Sequence, residues 1–301
     1  MYEEIARNKR RTVILVIGAL IVFAAVGWAL GLLFRGGIAG LIIAFVIAVI
    51  LSWSSYRYGD RIVLASARAR EVTPEEEPRL HNVVEGMALA AGLPKPRVYV
   101  TPDQAPNAFA TGRDPEHSSI AVTRGLLDMM NRVELEGVVA HEMSHVRDRD
   151  ILVGTVVATL VGAIVLVSEF MLRWFWWGGI GGRRGDDRSG GAANAIFFAI
   201  GLALLILAPI AAQVIKFAVS RRREYLADAQ GAMLTRYPPG LASALRKIAA
   251  THTPMRSANN ATAHLWLSQP SRVPGEQMGW LEKLFSTHPP IQDRIRILEE
   301  M

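Results

Sequence analysis

The sequence predicts a mainly α-helical integral membrane protein, with four transmembrane helices in two hairpins and a polar domain of helices plus a small sheet. Three observations carry that reading. Of 301 residues, 51% are hydrophobic and 20% charged, against roughly 25% charge in an average soluble domain, and the mean hydropathy is +0.24. The apolar residues gather into four long runs arranged in two pairs. The basic residues behind the net charge of +6 stand beside those runs, the pattern of membrane anchoring rather than of nucleic-acid binding. The apolar content excludes a disordered chain, and the absence of Cys excludes a disulfide scaffold and thiol catalysis.

A helix needs about 20 apolar residues to cross roughly 30 Å of hydrocarbon. Val13 to Phe34 and Gly36 to Trp53 are such runs, joined by little more than Arg35, so residues 1–53 read as a tight hairpin. Ile151 to Leu172 and Ala192 to Val219 form a second hairpin over 151–219. Its connecting loop, 173–191, is rich in Gly, Arg and Trp, and Trp174, Trp176 and Trp177 read as an interfacial aromatic belt. The polar stretches 54–150 and 220–301 are then two halves of one domain on one side of the membrane. Arg7, Lys9, Arg10 and Arg11 precede the first hairpin, Arg57 and Arg61 follow it, and Arg221, Arg222 and Arg223 follow the second. By the positive-inside rule the polar halves and both termini are cytoplasmic, although Arg173, Arg183, Arg184 and Arg188 in the loop pull the other way.

Within the polar halves, Pro78 opens a helix whose apolar stripe is Leu80, Val83, Val84, Met87 and Ala91, closed by Gly92 and Pro94. Arg97 to Thr101 and Ser118 to Thr123 alternate as strands, and Asn107 to Ala110, between Pro106 and Gly112, reads as a short edge strand. Arg132 to Asp150 reads as a helix, with Val133, Leu135, Val139, Met143 and Val146 packing on one side.

That helix contains His141-Glu142-Met143-Ser144-His145. Residues i and i+4 project together, so His141 and His145 can bind one Zn²⁺ while Glu142 reaches a water beside it. A catalytic zinc needs a third protein ligand and an open position. Glu224-Tyr225-Leu226-Ala227-Asp228 sets two carboxylates four residues apart on one helical face. Glu224 can complete a His₂Glu set, and Asp228 can orient an imidazole through its free N–H. Asp148 and Asp150 follow the zinc helix, where Asp150 can brace it; His81, His117, His252 and His264 show no partner pattern.

These segments resemble the HtpX-type membrane zinc metallopeptidases and, more distantly, the prenyl-CAAX-processing zinc proteases. HEMSH at 141–145, EYLAD at 224–228, PNAFATG at 106–112 and FSTHPPIQDR at 285–294 carry the likeness, which with the hairpins spans nearly the whole chain. The resemblance implies a gluzincin α+β peptidase domain, one Zn²⁺ per chain, and cleavage of misfolded or membrane proteins in quality control at the prokaryotic inner membrane. It implies protein substrates and the lipid bilayer as partners, with no nucleic acid. Glu142 would serve as general base, His288 as an oxyanion donor, and Asn107 as a holder of substrate backbone. An intramembrane protease is the competing enzyme reading, but the charged run Val146-Arg147-Asp148-Arg149-Asp150 would be costly at membrane depth. A closed-site metal-binding scaffold is the competing non-enzyme, and Glu142 argues against it.

Overall fold

The computed structural model describes residues 2–33, 38–162, 221–259, 262–269 and 289–301. The loop at 173–191, His288 and all but 151–162 of the second hairpin lie outside these residues.

Helices α1 (Tyr2–Leu33) and α2 (Ile38–Ser66) pack side by side. Helix α1 begins well before its apolar run, because the basic segment around Arg10 carries no helix breaker. The stretch Leu41–Ser66 of α2 has 26 residues and mean hydropathy 1.7. At 1.5 Å per residue this is about 39 Å, enough to cross roughly 30 Å of hydrocarbon. Among the described residues it is the one helix that passes on both length and hydropathy. Ile42, Ile43, Phe45, Val46, Ile50 and Trp53 are exposed along it, an apolar surface that a protein in water would not leave bare.

The sheet has the order β1-β2-β4-β3, from β1 (Arg70–Glu71), β2 (Arg97–Thr101), β3 (Ala108–Gly112) and β4 (Ser118–Thr123). Strands β2 and β4 are parallel and the other pairs antiparallel, which leaves β3 at an edge, as the sequence predicts. Both faces are buried, and side chains alternate between them. Val98, Val100, Ala108, Ala110, Ile120 and Val122 enter the main core. Tyr99, Phe109 and Ala121 face the opposite way, against Val63, Leu64 and Ala67 at the end of α2 and against Trp266.

The main core is organised around α5 (Arg132–Asp148). It packs against α3 (Pro78–Ala91), α7 (Arg221–Thr235) and α8 (Pro238–Ala249), while the last helix, α9 (Ile291–Glu299), lies on α8. The short α4 (Arg124–Met129) leads into α5. Helix α3 starts with Pro78 and ends at Gly92 in the left-handed conformation. Helix α5 opens with a reciprocal capping box, in which Asn131 accepts from Glu134 N–H and Glu134 accepts from Asn131 N–H. Leu135, Val139, Met143 and Val146 are buried as predicted, but Val133 is 44% exposed. At 3.6 residues per turn Val133 lies roughly 160° from Leu135 around the helix. The helix also stops short of Asp150: Arg149 adopts φ 60°, ψ 26°, and the chain restarts as α6 (Asp150–Gly162). Helix α6 is covered by its own protein at Ile151, Val153, Val156, Val157 and Val161.

Candidate active site

Helix α5 places His141 and His145 one turn apart, with their Nε2 atoms 3.2 Å from each other. Helix α7 brings Glu224 across from them, Oε2 lying 3.9 Å from His141 Nε2 and Oε1 3.7 Å from His145 Nε2. All three donor atoms fall within 4.8 Å of one another. A tetrahedral zinc with bonds of about 2.0–2.1 Å separates its donors by roughly 3.3 Å. The donor set therefore fits zinc in type and spacing.

Each imidazole turns its other nitrogen to a carboxylate. His141 Nδ1 lies 2.9 Å from Asp228 Oδ1, and His145 Nδ1 lies 3.1 Å from Asp150 Oδ2. Because a carboxylate only accepts, this fixes an N–H on each Nδ1 and turns each Nε2 toward the ligand cluster. Each carboxylate is also held by an arginine. Arg294 donates to Asp228 through Nε at 2.8 Å and Nη2 at 2.7 Å, and Arg223 Nη1 donates to Asp150 Oδ1 at 2.7 Å. Burial alone would raise the carboxyls of Asp228 and Asp150, but these partners hold both below the usual range. His145 is raised to about 9: its burial works against the charge, but the bond to Asp150 and the field of Glu224 overcome it.

Arg149 explains how Asp150 reaches a histidine only five residues back. A non-glycine residue in the left-handed region costs roughly 1–2 kcal/mol. Here it ends α5, with the Arg149 N–H bonding Val146 O at 3.2 Å, and folds the next residue over the helix end.

Glu142 is 2% exposed and lines a cavity of about 50 Å³ with His145, Glu224 and Leu265. Burial raises its carboxyl, the two imidazoles and a bond from Ala110 N–H lower it, Glu224 raises it again, and the outcome lies above the ordinary value. A carboxyl so placed can take up a proton from water and give it back. The Ala110 donor comes from the outward edge of β3.

Along that same edge Leu267 N donates to Ala108 O at 2.8 Å. Asn107 continues the pairing with its side chain, Nδ2 donating to Ser268 O at 2.9 Å and Oδ1 accepting from Ser268 N at 3.2 Å. Its carboxamide thus stands where a strand's backbone would be. It lines a second cavity, of about 460 Å³, together with Arg294 and Pro290.

The structure thus gathers His141, Glu142, His145, Glu224 and Asp228, sets Asn107 just before the edge strand in the cavity that Arg294 also lines, and leaves His288 outside the described residues. Sequence reasoning missed four participants. Arg294 stands in the FSTHPPIQDR segment, a signal that was present without a role. Arg223, which the sequence places in a basic flank, is only 8% exposed. His264, which shows no pattern, lines the Glu142 cavity and bonds Gly154 O at 3.2 Å. Asn8 lies 142 residues from its carboxylate partner.

Comparison with known proteins finds peptidases along the whole chain. A family model described as peptidase family M48 matches residues 74–301. A "Protease HtpX homolog" of Thermoanaerobacter pseudethanolicus is 48% identical over 301 residues, covering 100% of this chain and 98% of that protein. One of Lactobacillus acidophilus is 44% identical over 303 residues, with 100% of both chains covered. Among solved structures, that of S. mikatae Ste24p is similar at TM-score 0.48 and 16% identity, covering 99% of this chain and 67% of that one.

Proposed function

The chain belongs to peptidase family M48, and from that membership we propose that it is a membrane-bound, zinc-dependent endopeptidase acting on misfolded or membrane proteins in quality control. It is a peptidase with protein substrates. The observation that carries the metal and the mechanism is the convergence of His141, His145 and Glu224 within 4.8 Å beside the buried carboxyl of Glu142.

His141, His145 and Glu224 are the residues that would hold one zinc ion. Bound there, zinc supplies Lewis-acid chemistry: it polarises a scissile carbonyl and acidifies water. Glu142 takes the proton from the attacking water, and its raised affinity for protons suits it to hold that proton until the leaving amine needs it. Asp228 and Asp150 hold the two imidazoles in their ligating tautomer. The Ala110 N–H orients Glu142. His288 is assigned to donate to the developing oxyanion, on the strength of its place in FSTHPPIQDR. Asn107 is assigned to hold extended substrate along β3, which requires residues 267–268 to leave that edge, since its carboxamide and Ala108 O are already paired with them.

The domain reading is that 54–150 and 220–301 make one metallopeptidase domain around the hairpins at 1–53 and 151–219. Its support is that the ligands come from both halves, on α5 and α7. The location is the prokaryotic inner membrane, with four spans and a cytoplasmic catalytic domain.

The test separates ligand from base. Glu224→Ala leaves two protein ligands and is expected to lose zinc during purification, and activity with it. Glu142→Gln keeps size and a hydrogen-bonding group without the base, so it is expected to retain near-stoichiometric zinc and fail to cleave casein in detergent. Parental cleavage by Glu142→Gln, or full zinc in Glu224→Ala, overturns the assignment.

A further inference from the structure

The amino-terminal helix reaches the carboxylate that holds His145. Helix α1 buries Asn8, Thr12 and Leu15, with Val16 and Ala19 packed on Leu152, Val156 and Leu160 of α6. The spacing of these residues puts them on one stripe of α1. Asn8 opens that stripe, 1% exposed between exposed Arg7 and Lys9 and ahead of the apolar run.

Its Nδ2 donates to two acceptors, Asp148 O at 2.9 Å and Asp150 Oδ1 at 2.6 Å. Since neither acceptor can donate, the orientation of the carboxamide is determined by its partners. The Asp148 carbonyl belongs to the last turn of α5, where helical carbonyls lack an intrahelical partner. The Asp150 carboxylate is the one that accepts from His145 Nδ1 at 3.1 Å and from Arg223 Nη1 at 2.7 Å. Three donors from α1, α5 and α7 therefore fix a single carboxylate. Arg223 and Asn8 share its Oδ1, which leaves Oδ2 directed at the histidine.

We propose that Asn8 is a positioning residue of the metal centre: it holds Asp150 and the end of α5 so that His145 presents Nε2 to the metal, making the amino-terminal membrane helix part of the catalytic scaffold. This rests on the assignment of His145 as a ligand. With Asn8 removed, Asp150 keeps Arg223 but can rotate, and the buried Asp148 carbonyl loses its donor. The ring of His145 is then aimed less narrowly. Outer partners of metal ligands typically contribute about 10- to 100-fold to metal affinity or activity, and Asn8, one bond further out, belongs at the lower end.

The experiment is a double-mutant cycle on the full-length, zinc-loaded protein in detergent: parent, Asn8→Ala, Asp150→Asn and the double variant. Release of zinc to excess chelator is followed in all four, because it is measurable whether or not a variant cleaves, and casein cleavage is followed where it persists. Asn8→Ala is expected to release zinc about 10-fold faster and lower kcat similarly at unchanged KM. In the Asp150→Asn background it should add little. Equal factors in both backgrounds, or no effect in the parent, overturn the proposal, since a packing role adds independently of Asp150. If the parent holds no zinc or Glu142→Gln cleaves normally, the functional reading fails instead, and the cycle is judged on the hydrogen bonds through thermal unfolding of the same four proteins, where additivity again overturns the coupling.

Discussion

At His145 the surroundings that make a good ligand also favour a proton. With its affinity raised to about 9, the ring is protonated at neutral pH when no metal is bound. The sign follows from that elevation. Relative to an ordinary histidine near 6.5, the metal-free fold gains stability that is fully present below about 6.5 and is lost as pH rises through about 9. Metal must displace the proton, so zinc affinity is expected to rise roughly tenfold per pH unit up to about 9. Calorimetric titration of the metal-free protein at pH 7, in two buffers of different ionisation enthalpy, should show about one proton released per zinc from this residue. A buffer-independent heat would mean that His145 binds already neutral. The ligands were legible because HEMSH and the two carboxylates of EYLAD are helical-repeat patterns, in which spacing alone places side chains together. Their supports were not. Arg294 meets Asp228 across 66 residues and Arg223 meets Asp150 across 73, and no local periodicity encodes such pairs. The reach of Asp150 to His145 depends on a left-handed Arg149, which few sequence signals mark for a residue other than glycine or asparagine.

Helix α5 stands close to its neighbours because glycine lines two of its contacts. A Cβ on Gly137 would lie 2.7 Å from the backbone N of Leu241 and 2.9 Å from its Cα, and one on Gly231 of α7 would lie 3.0 Å from the N of His141. The second approach is what lets Glu224 and Asp228, on the same face of α7, reach the histidines. In α3, a Cβ on Gly86 would meet nothing within 4 Å. The same substitution should therefore act with opposite sign at two helical positions. Gly86→Ala is expected to stabilise by about 0.5–1 kcal/mol through helix propensity. Gly137→Ala must push α8 away and is expected to cost about 1–3 kcal/mol. Thermal unfolding in detergent reads both shifts; a rise in midpoint for Gly137→Ala would show that α8 yields freely. Elements such as α3 were readable to their ends, since Pro78 and Gly92 act locally. The break of α5 at Arg149 and the outward turn of Val133 were not, the first for want of a helix breaker and the second because an apolar side chain need not face the core.

Over the whole molecule, the contacts of the first hairpin decide which of its ends carries the catalytic domain. Asn8, near the start of α1, touches Asp150, and Val63, Leu64 and Ala67, near the end of α2, pack against the sheet. Both contacts lie at the open end of an antiparallel pair, so the amino terminus and the catalytic domain lie at the same end of that pair. The proposed orientation makes that end cytoplasmic, on the basic residues flanking the helices. The chain contains no Cys, so single cysteines report without background. Lys9→Cys and Arg296→Cys, at exposed positions, should resist a membrane-impermeant maleimide in intact cells and react once the inner membrane is opened. Ser189→Cys, in the 173–191 loop, should react from outside if 151–219 forms the second hairpin, and protection there would remove the four-span reading while leaving the first hairpin intact. Labelling of Lys9→Cys and Arg296→Cys from opposite faces would reach further. The two residues belong to parts joined through the contact of Asn8 with Asp150, 2.6 Å long, and no bilayer can run between them while that contact exists.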